Sequence, residues 1–110
     1  PIEYSGYKSE DRLREALRKI LEIKEDITRL RAADPHELNA VNECRSTILC
    51  SEMFFRASIE RKESRGWHLR EDYKERDDKN YLKWIEIANN NGNMVISEIP
   101  VPIESYTYRP

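Results

Sequence analysis

Glycine is scarce in this chain. Three glycines in 110 residues, Gly6, Gly66 and Gly92, stand far apart. A dinucleotide-binding fingerprint or a phosphate-cradling loop needs clustered glycines at a strand-to-helix turn, so neither can be drawn through them. Cysteine is scarcer still, with only Cys44 and Cys50. Six positions apart on a predicted helix, they lie on different faces and cannot bridge easily. They read as reduced thiols in a cytosolic protein, of the kind commonly buried. His36, Cys44, Cys50 and His68 lack the tight ligand pairs of a zinc site, so no metal is expected. No apolar run approaches the ~20 residues of a membrane span, which argues against direct membrane insertion. There is no signal peptide, and the chain opens at Pro1 rather than Met. That start marks it as processed, or as a piece of something longer. A strong charge of one sign is also missing. Nineteen Lys and Arg against 21 Asp and Glu leave a net charge of -2. No overall positive field exists to draw in nucleic acid.

What is present suits one small domain with a thin core. Charged residues make up 36% of the chain and hydrophobic residues 38%. Leu13, Ala16, Ile20, Ile23, Ile27 and Leu30 recur at alternating steps of three and four, a heptad seam that predicts a helix over residues 9–33. Leu17 and Leu21 widen its apolar stripe, as a helix in a bundle requires. "DPHE" then supplies Asp34 as a cap, Pro35 for a first helical position and Glu37 for a capping box. A second helix over 34–64 follows at once, antiparallel to the first. Arg45 and Glu52 interrupt one of its apolar faces, to snorkel or to reach a partner. Gly66 is placed to stop this helix. Residues 65–78 read as an irregular charged loop, with one helical turn in "DDKNYL" capped by Asp77 or Asp78. Strands at about 82–88 and 94–99, joined through Asn91-Gly92, predict a β-hairpin. A helix over 79–88 is the competing reading. The prolines of the 100–110 tail exclude helix there and predict extended chain lying against something.

Two long helices with broad apolar faces cover each other on one side only, and a two-stranded hairpin is marginal alone. A third helix, a second copy of the chain or a larger domain must cover the rest.

The stretch at 63–78, "ESRGWHLREDYKERDD", has eleven charged or His residues in sixteen. Three chemistries compete for it. As a catalytic site, His68 with Asp72 or Glu71 makes a base and its orienter, and Arg65 or Arg70 forks a carboxylate. The order contains no nucleophile elbow, ligand pair or phosphate loop to support this. As a nucleic-acid surface, Arg65, Arg70, Lys74, Arg76 and Lys79 sit beside Trp67 and Tyr73, but the interleaved acids cancel their field. As a structural loop, its arginines and acids pair within it and with the surface it meets. This last reading fits the chemistry best.

The residues also carry a resemblance. "RKESRGWHLREDYKERDDKNYLKW", residues 61–84, resembles the C-terminal domain of the succinate dehydrogenase and fumarate reductase flavoprotein subunit family. Adenylylsulfate reductase alpha subunits and L-aspartate oxidase are relatives of that family. The matching positions are Glu63, Ser64, Arg65, Gly66, His68, Arg70, Asp72, Tyr73, Arg76, Asp77 and Asp78. Lys74 stands where the family often has Pro. The preceding "DPHELNAVNECRSTILCSEMFFRASIE" and the following "MVISEIPVPIESYTYRP" extend the likeness over most of residues 10–110.

The resemblance implies a mainly α fold: an antiparallel long-helix pair of a spectrin-repeat-like bundle, its third helix missing, then a small β-hairpin and an extended tail. It implies a C-terminal piece of an FAD-dependent oxidoreductase, structural and subunit-docking, without catalysis of its own. FAD would belong to the parent enzyme and not to this chain. The expected partners are the FAD and capping domains of the parent chain and an iron–sulfur or other partner subunit. The eleven motif residues would form the docking loop. The compartment implied is the cytoplasm, or the cytoplasmic face of a membrane through a partner subunit. A free-standing helical adaptor that self-associates through the heptad seam is the rival reading.

Overall fold

The computed structural model describes residues 2–107. Nine short and long elements follow in order: α1 (Ile2–Ser5), β1 (Tyr7–Lys8), α2 (Glu10–Ile27), α3 (Pro35–Glu60), β2 (Leu69–Arg70), α4 (Asp78–Tyr81), β3 (Lys83–Asn90), β4 (Asn93–Pro100) and a 3-10 turn at Ile103–Ser105. The fold is mainly α, a long antiparallel helix pair carrying a β-hairpin. Its Cα radius of gyration is 17.1 Å and its extents are 55 × 30 × 23 Å. A compact chain of this length would have a radius near ~13 Å, so the molecule is elongated and its core is small.

That core lies between α2 and α3. Leu13, Ala16 and Phe55 are buried together, with Tyr4, Leu17, Ile20 and Ile59 packed around them. The heptad seam therefore faces α3 over its first half. Beyond that half Ile27 is still buried, whereas Ile23 and Leu30 stay exposed. The expected helix over 9–33 stops at Ile27 for a local reason. The amides of Thr28, Arg29 and Leu30 bond to carbonyls three residues back, and the Thr28 hydroxyl donates to the Glu25 carbonyl. This tightened turn ends the α ladder, and seven residues, not a direct junction, lead to α3.

The start of α3 is as its sequence requires. Asp34 accepts from the Glu37 amide at 2.8 Å, and the Glu37 carboxylate reaches back to the Ala33 amide at 2.7 Å. Its end is earlier than expected. Arg61 is extended (φ -83°, ψ 104°), because its guanidinium bonds to Glu63 and to the carbonyls of Tyr81 and Lys83. Gly66 is therefore not the helix stop. Glu52, the acid at a core-like position, is buried and joins the helices by accepting from Lys24 at 2.6 Å and Arg56 at 2.9 Å. Arg45 is exposed. Both cysteines are free, but they are exposed and not buried.

The hairpin forms where Asn91-Gly92 predicts it. Both residues have positive φ, 52° and 88°, as a type I′ turn demands. Eight residues pair on each side, from Lys83 with Pro100 to Asn90 with Asn93. Ile85 and Ile87 turn to the partly buried side against α3, whereas Trp84 stays half exposed. The competing helix over 79–88 is therefore confined to the single turn of α4, which ends at Tyr81, and residues 83–88 are strand. The tail departs from the extended expectation at Ile103–Ser105, where Ser105 donates to the Pro102 carbonyl and closes one 3-10 turn. The end of the predicted tail, Tyr108, Arg109 and Pro110, lies outside the described residues.

Candidate functional site: an ion-paired loop and an inverted ribbon

The charged loop from Arg61 to Asp78 is ordered by two buried charge centres. The first is Glu63, whose side chain is 0% exposed. Arg65 forks it with Nε at 2.8 Å and Nη2 at 3.0 Å, Arg61 adds Nη1 at 2.5 Å, and the Asp77 amide donates at 2.8 Å. Burial alone would raise the Glu63 pKa, but these donors outweigh it and hold the carboxyl below its usual value. Arg65 also reaches Asp78 at 2.6 Å, where Arg76 converges on the same oxygen at 2.7 Å. Asp77 caps α4 through the Asn80 amide at 3.1 Å.

The second centre is Arg70. It forks Asp72 with two bonds of 2.7 Å, meets Glu10 at 3.0 Å and donates to the Ser58 carbonyl at 2.9 Å. The Tyr73 ring lies 5.0 Å from the guanidinium carbon. Asp72 in turn accepts from the Glu10 amide at 2.8 Å, so the loop caps the first turn of α2. The Arg70 bonds come first in lowering the Asp72 pKa, to about 2, against a smaller opposing effect of burial. Ser64 ties the centres together: its hydroxyl accepts from the Arg70 amide at 2.8 Å and donates to the Tyr73 carbonyl at 2.8 Å.

Gly66 and Trp67 form the tip. Arg65 and His68 exchange backbone bonds of 2.9 Å in both directions, and Gly66 has φ 55°. The turn holds the Trp67 side chain outside at 96% exposure. His68 points the other way, half-buried, with Nε2 3.0 Å from the Arg61 carbonyl. A carbonyl only accepts, so Nε2 carries the proton in the neutral ring. Burial chiefly lowers the His68 pKa. The carbonyl contact opposes this, and repulsion from Lys8, Arg70 and Arg61 adds to it.

Beside the tip, β1 pairs with β2 in parallel, Tyr7 opposite Leu69 and Lys8 opposite Arg70. The polarity of this ribbon is inverted: its charged residues Lys8 and Arg70 are each 2% exposed, while Tyr7 and Leu69 face out. Lys8, Glu10 and Arg61 thus belong to the site although none was among the expected site residues. Arg61 had a signal, as part of the matching "RKESRG". Lys8 had none, being far from the motif in sequence.

The loop's charged side chains are mostly engaged with one another. The imagined pairing of His68 with Asp72 or Glu71 does not form, since His68 bonds a carbonyl and Asp72 is taken by Arg70. The forks of Arg65 and Arg70 are already filled by Glu63 and Asp72. The turn from β1 into α2 contains Ser9 and no glycine, and the start of α2 is filled by Asp72, Glu10 and Asp11. Those acids repel phosphate where a helix N-terminus would otherwise attract it. Among the described residues no group of three His, Cys, Asp or Glu could hold a metal ion. Among the described residues no helix is long and apolar enough to cross a membrane.

Comparison with known proteins gives these features a family. Residues 4–110 match the family described as "Fumarate reductase flavoprotein C-term". The fumarate reductase flavoprotein subunit of Haemophilus influenzae is 37% identical over 103 residues, covering 88% of this chain and 17% of that protein. An uncharacterized FAD-dependent oxidoreductase of Methanocaldococcus jannaschii is 34% identical over 68 residues, 62% of this chain and 13% of its own length. Among solved structures, the FrdA chain of E. coli quinol fumarate reductase superposes with a TM-score of 0.83 at 27% identity, covering 92% of this chain and 19% of that one. Mycobacterium smegmatis Sdh1 shares the fold at TM-score 0.66 and 24% identity, covering 88% of this chain and 18% of its own. The chain spans less than a fifth of the relatives it matches. Sequence and fold agree along nearly its whole length: the chain belongs to the family of fumarate reductase flavoprotein C-terminal domains.

Proposed function

We propose that this chain is the C-terminal part of an FAD-dependent oxidoreductase of the fumarate reductase and succinate dehydrogenase flavoprotein type, where it has a structural and subunit-docking role and performs no redox step. One observation carries the reading. The loop of Glu63, Ser64, Arg65, Gly66, His68, Arg70, Asp72, Tyr73, Arg76, Asp77 and Asp78 pairs its charges within itself and with Glu10, and presents Trp67 and Leu69 outward beside Tyr7 of β1. A site built for turnover keeps charged groups free to meet substrate. A docking loop instead fixes its shape beforehand and offers aromatic anchors. On this reading FAD is held by the remainder of the parent polypeptide. The partners are its FAD and capping domains, with an iron–sulfur or other subunit beyond them, in the cytoplasm or on the cytoplasmic face of a membrane. Self-association through the heptad seam is less favoured, because Leu13, Ala16 and Ile27 already face inward.

Two measurements test the proposal. Purified chain mixed with FAD should retain no stoichiometric flavin, and tight retention by the chain alone would overturn it. In the full-length flavoprotein, Arg65→Ala and Arg70→Ala should impair assembly or flavin retention more than the turnover number of the assembled enzyme. Normal assembly with collapsed turnover would move the loop into the catalytic machinery.

A further inference from the structure

Lys8 and Arg70 are neighbours on the inverted ribbon and equally buried, yet their surroundings differ. Arg70 meets both oxygens of Asp72 and one of Glu10. The Lys8 ammonium has the Trp67 carbonyl at 3.4 Å and the Phe54 ring centroid at 5.5 Å. Among the described residues it forms no ion pair. The charged or titratable groups acting on it are themselves cationic or able to become so: Arg70 on the opposite strand and His68 at the loop tip. The ammonium has given up water without gaining an anion, which is the costly half of a buried ion pair.

We propose that Lys8 is the receiving half of a buried ion pair whose carboxylate is an Asp or Glu side chain on the body of the same flavoprotein polypeptide. This rests on the docking reading above. Phe54, whose ring lies under the Lys8 ammonium, and His68, which feels its charge, line an open cleft of about 290 Å³ together with Arg61, Trp84 and Ile85. An acidic side chain entering there comes to the residues that adjoin Lys8, a cation that forms no ion pair among the described residues. Trp67, fully outside on a turn held from both ends, is placed to anchor the same surface. The occupant is assigned to the same polypeptide because the matched relatives carry more than four-fifths of their length beyond the aligned part. That surface is joined to the domain in every copy. Burial first, then repulsion from Arg70, lowers the Lys8 pKa. An arriving carboxylate acts in the opposite sense.

Zero-length carbodiimide coupling of the full-length flavoprotein, read by peptide mass spectrometry, tests this. The expected product joins Lys8 to one Asp or Glu outside the segment corresponding to residues 1–110. Lys8→Met should remove that product and leave other domain-to-body links. Coupling of Lys8 to a second copy, to a different subunit or within residues 1–110 would overturn the assignment. So would an uncoupled Lys8 while other links show the domain seated. Absence of any link between domain and body would instead refute the docking reading itself. A second measurement is independent of coupling chemistry. Lys8→Met removes a lone buried charge in the isolated chain and orphans a carboxylate in the full-length protein. Its melting temperature should therefore rise in the first and fall in the second. A shift of the same sign in both would sink the proposal.

Discussion

Glu63 is the residue whose loss should disturb this domain most, and the structure fixes how much. Its carboxylate is fully buried and accepts four bonds, three from arginines and one from the Asp77 amide. Breaking a buried pair by removing one partner costs ~3–5 kcal/mol, because the other charge stays behind. Two facts place Glu63→Gln toward the low end. Arg61 keeps the carbonyls of Tyr81 and Lys83, and Arg65 keeps Asp78. Gln preserves shape, but its amide NH2 must face guanidinium donors. The expected loss is about 3 kcal/mol, a large part of the ~5–15 kcal/mol that holds a small domain folded. In urea, with a slope of about 2 kcal/mol per molar, the midpoint should fall by roughly 1.5 M. Hydrogen exchange adds a local readout, since the Asp77 amide should lose protection. The acid limb carries a further sign. Glu63 has a folded-state pKa below its unfolded value, so its stabilisation is present above the unfolded pKa and disappears as pH falls through the folded one. Glu63→Gln should flatten that part of the pH profile. Glu75→Gln, at an exposed position of the same loop, should cost less than about 0.5 kcal/mol. A loss below about 1 kcal/mol for Glu63→Gln would refute the idea that this carboxylate organises the loop.

The other predictions are shorter. Asp72, with its pKa lowered to about 2, should support the ribbon at neutral pH and cease to do so as pH falls from ~4 toward 2. Tertiary signals of Tyr7 and Tyr73 followed in acid would show it, and Asp72→Asn should remove the transition. His68 has a lowered folded-state pKa, so stability should drop as pH falls below its unfolded value near ~6.5. Nitrogen NMR should find the Nε2–H tautomer above that range, and His68→Gln should abolish the drop. Gly66→Ala should cost about 1–2 kcal/mol by chemical denaturation, because its φ of 55° is strained for any other residue while nothing lies within 4 Å of the added carbon. Gly6→Ala, without a positive φ and with equal space, should be neutral or stabilising by up to ~1 kcal/mol.

Features set by neighbours in sequence were legible, and features set by neighbours in space were not. Asn91-Gly92 specifies its own turn, and Asp34-Pro35-His36-Glu37 specifies its own cap, so the hairpin and the start of α3 follow from a few residues. The ends of the helices do not. α3 yields at Arg61 because that guanidinium is needed 20 and 22 residues away, at the Tyr81 and Lys83 carbonyls. The two-residue ribbon escaped because periodicity reads apolar residues as inward, and here Lys8 and Arg70 are inside. The loop's charges were expected to pair, but which pairs form depends on Glu10 and Ser58, contributed by two helices.

The inverted ribbon joins these observations into one physical account. A free-standing domain gains little by burying Lys8 and Arg70 while Tyr7, Leu69 and Trp67 face water. The same choice is useful in a module pressed onto a larger body. Bidentate pairs set the loop geometry through direction and charge, needing no apolar core beneath them. The apolar side chains remain outside, where docking can bury them. The order already present in Glu63, Arg65, Arg70 and Asp72 removes conformational freedom that association would otherwise have to remove. On the docking reading proposed above, loop rigidity and outward apolar surface are two parts of the same device. Damage to the ion pairs should weaken docking even where every contact residue is intact.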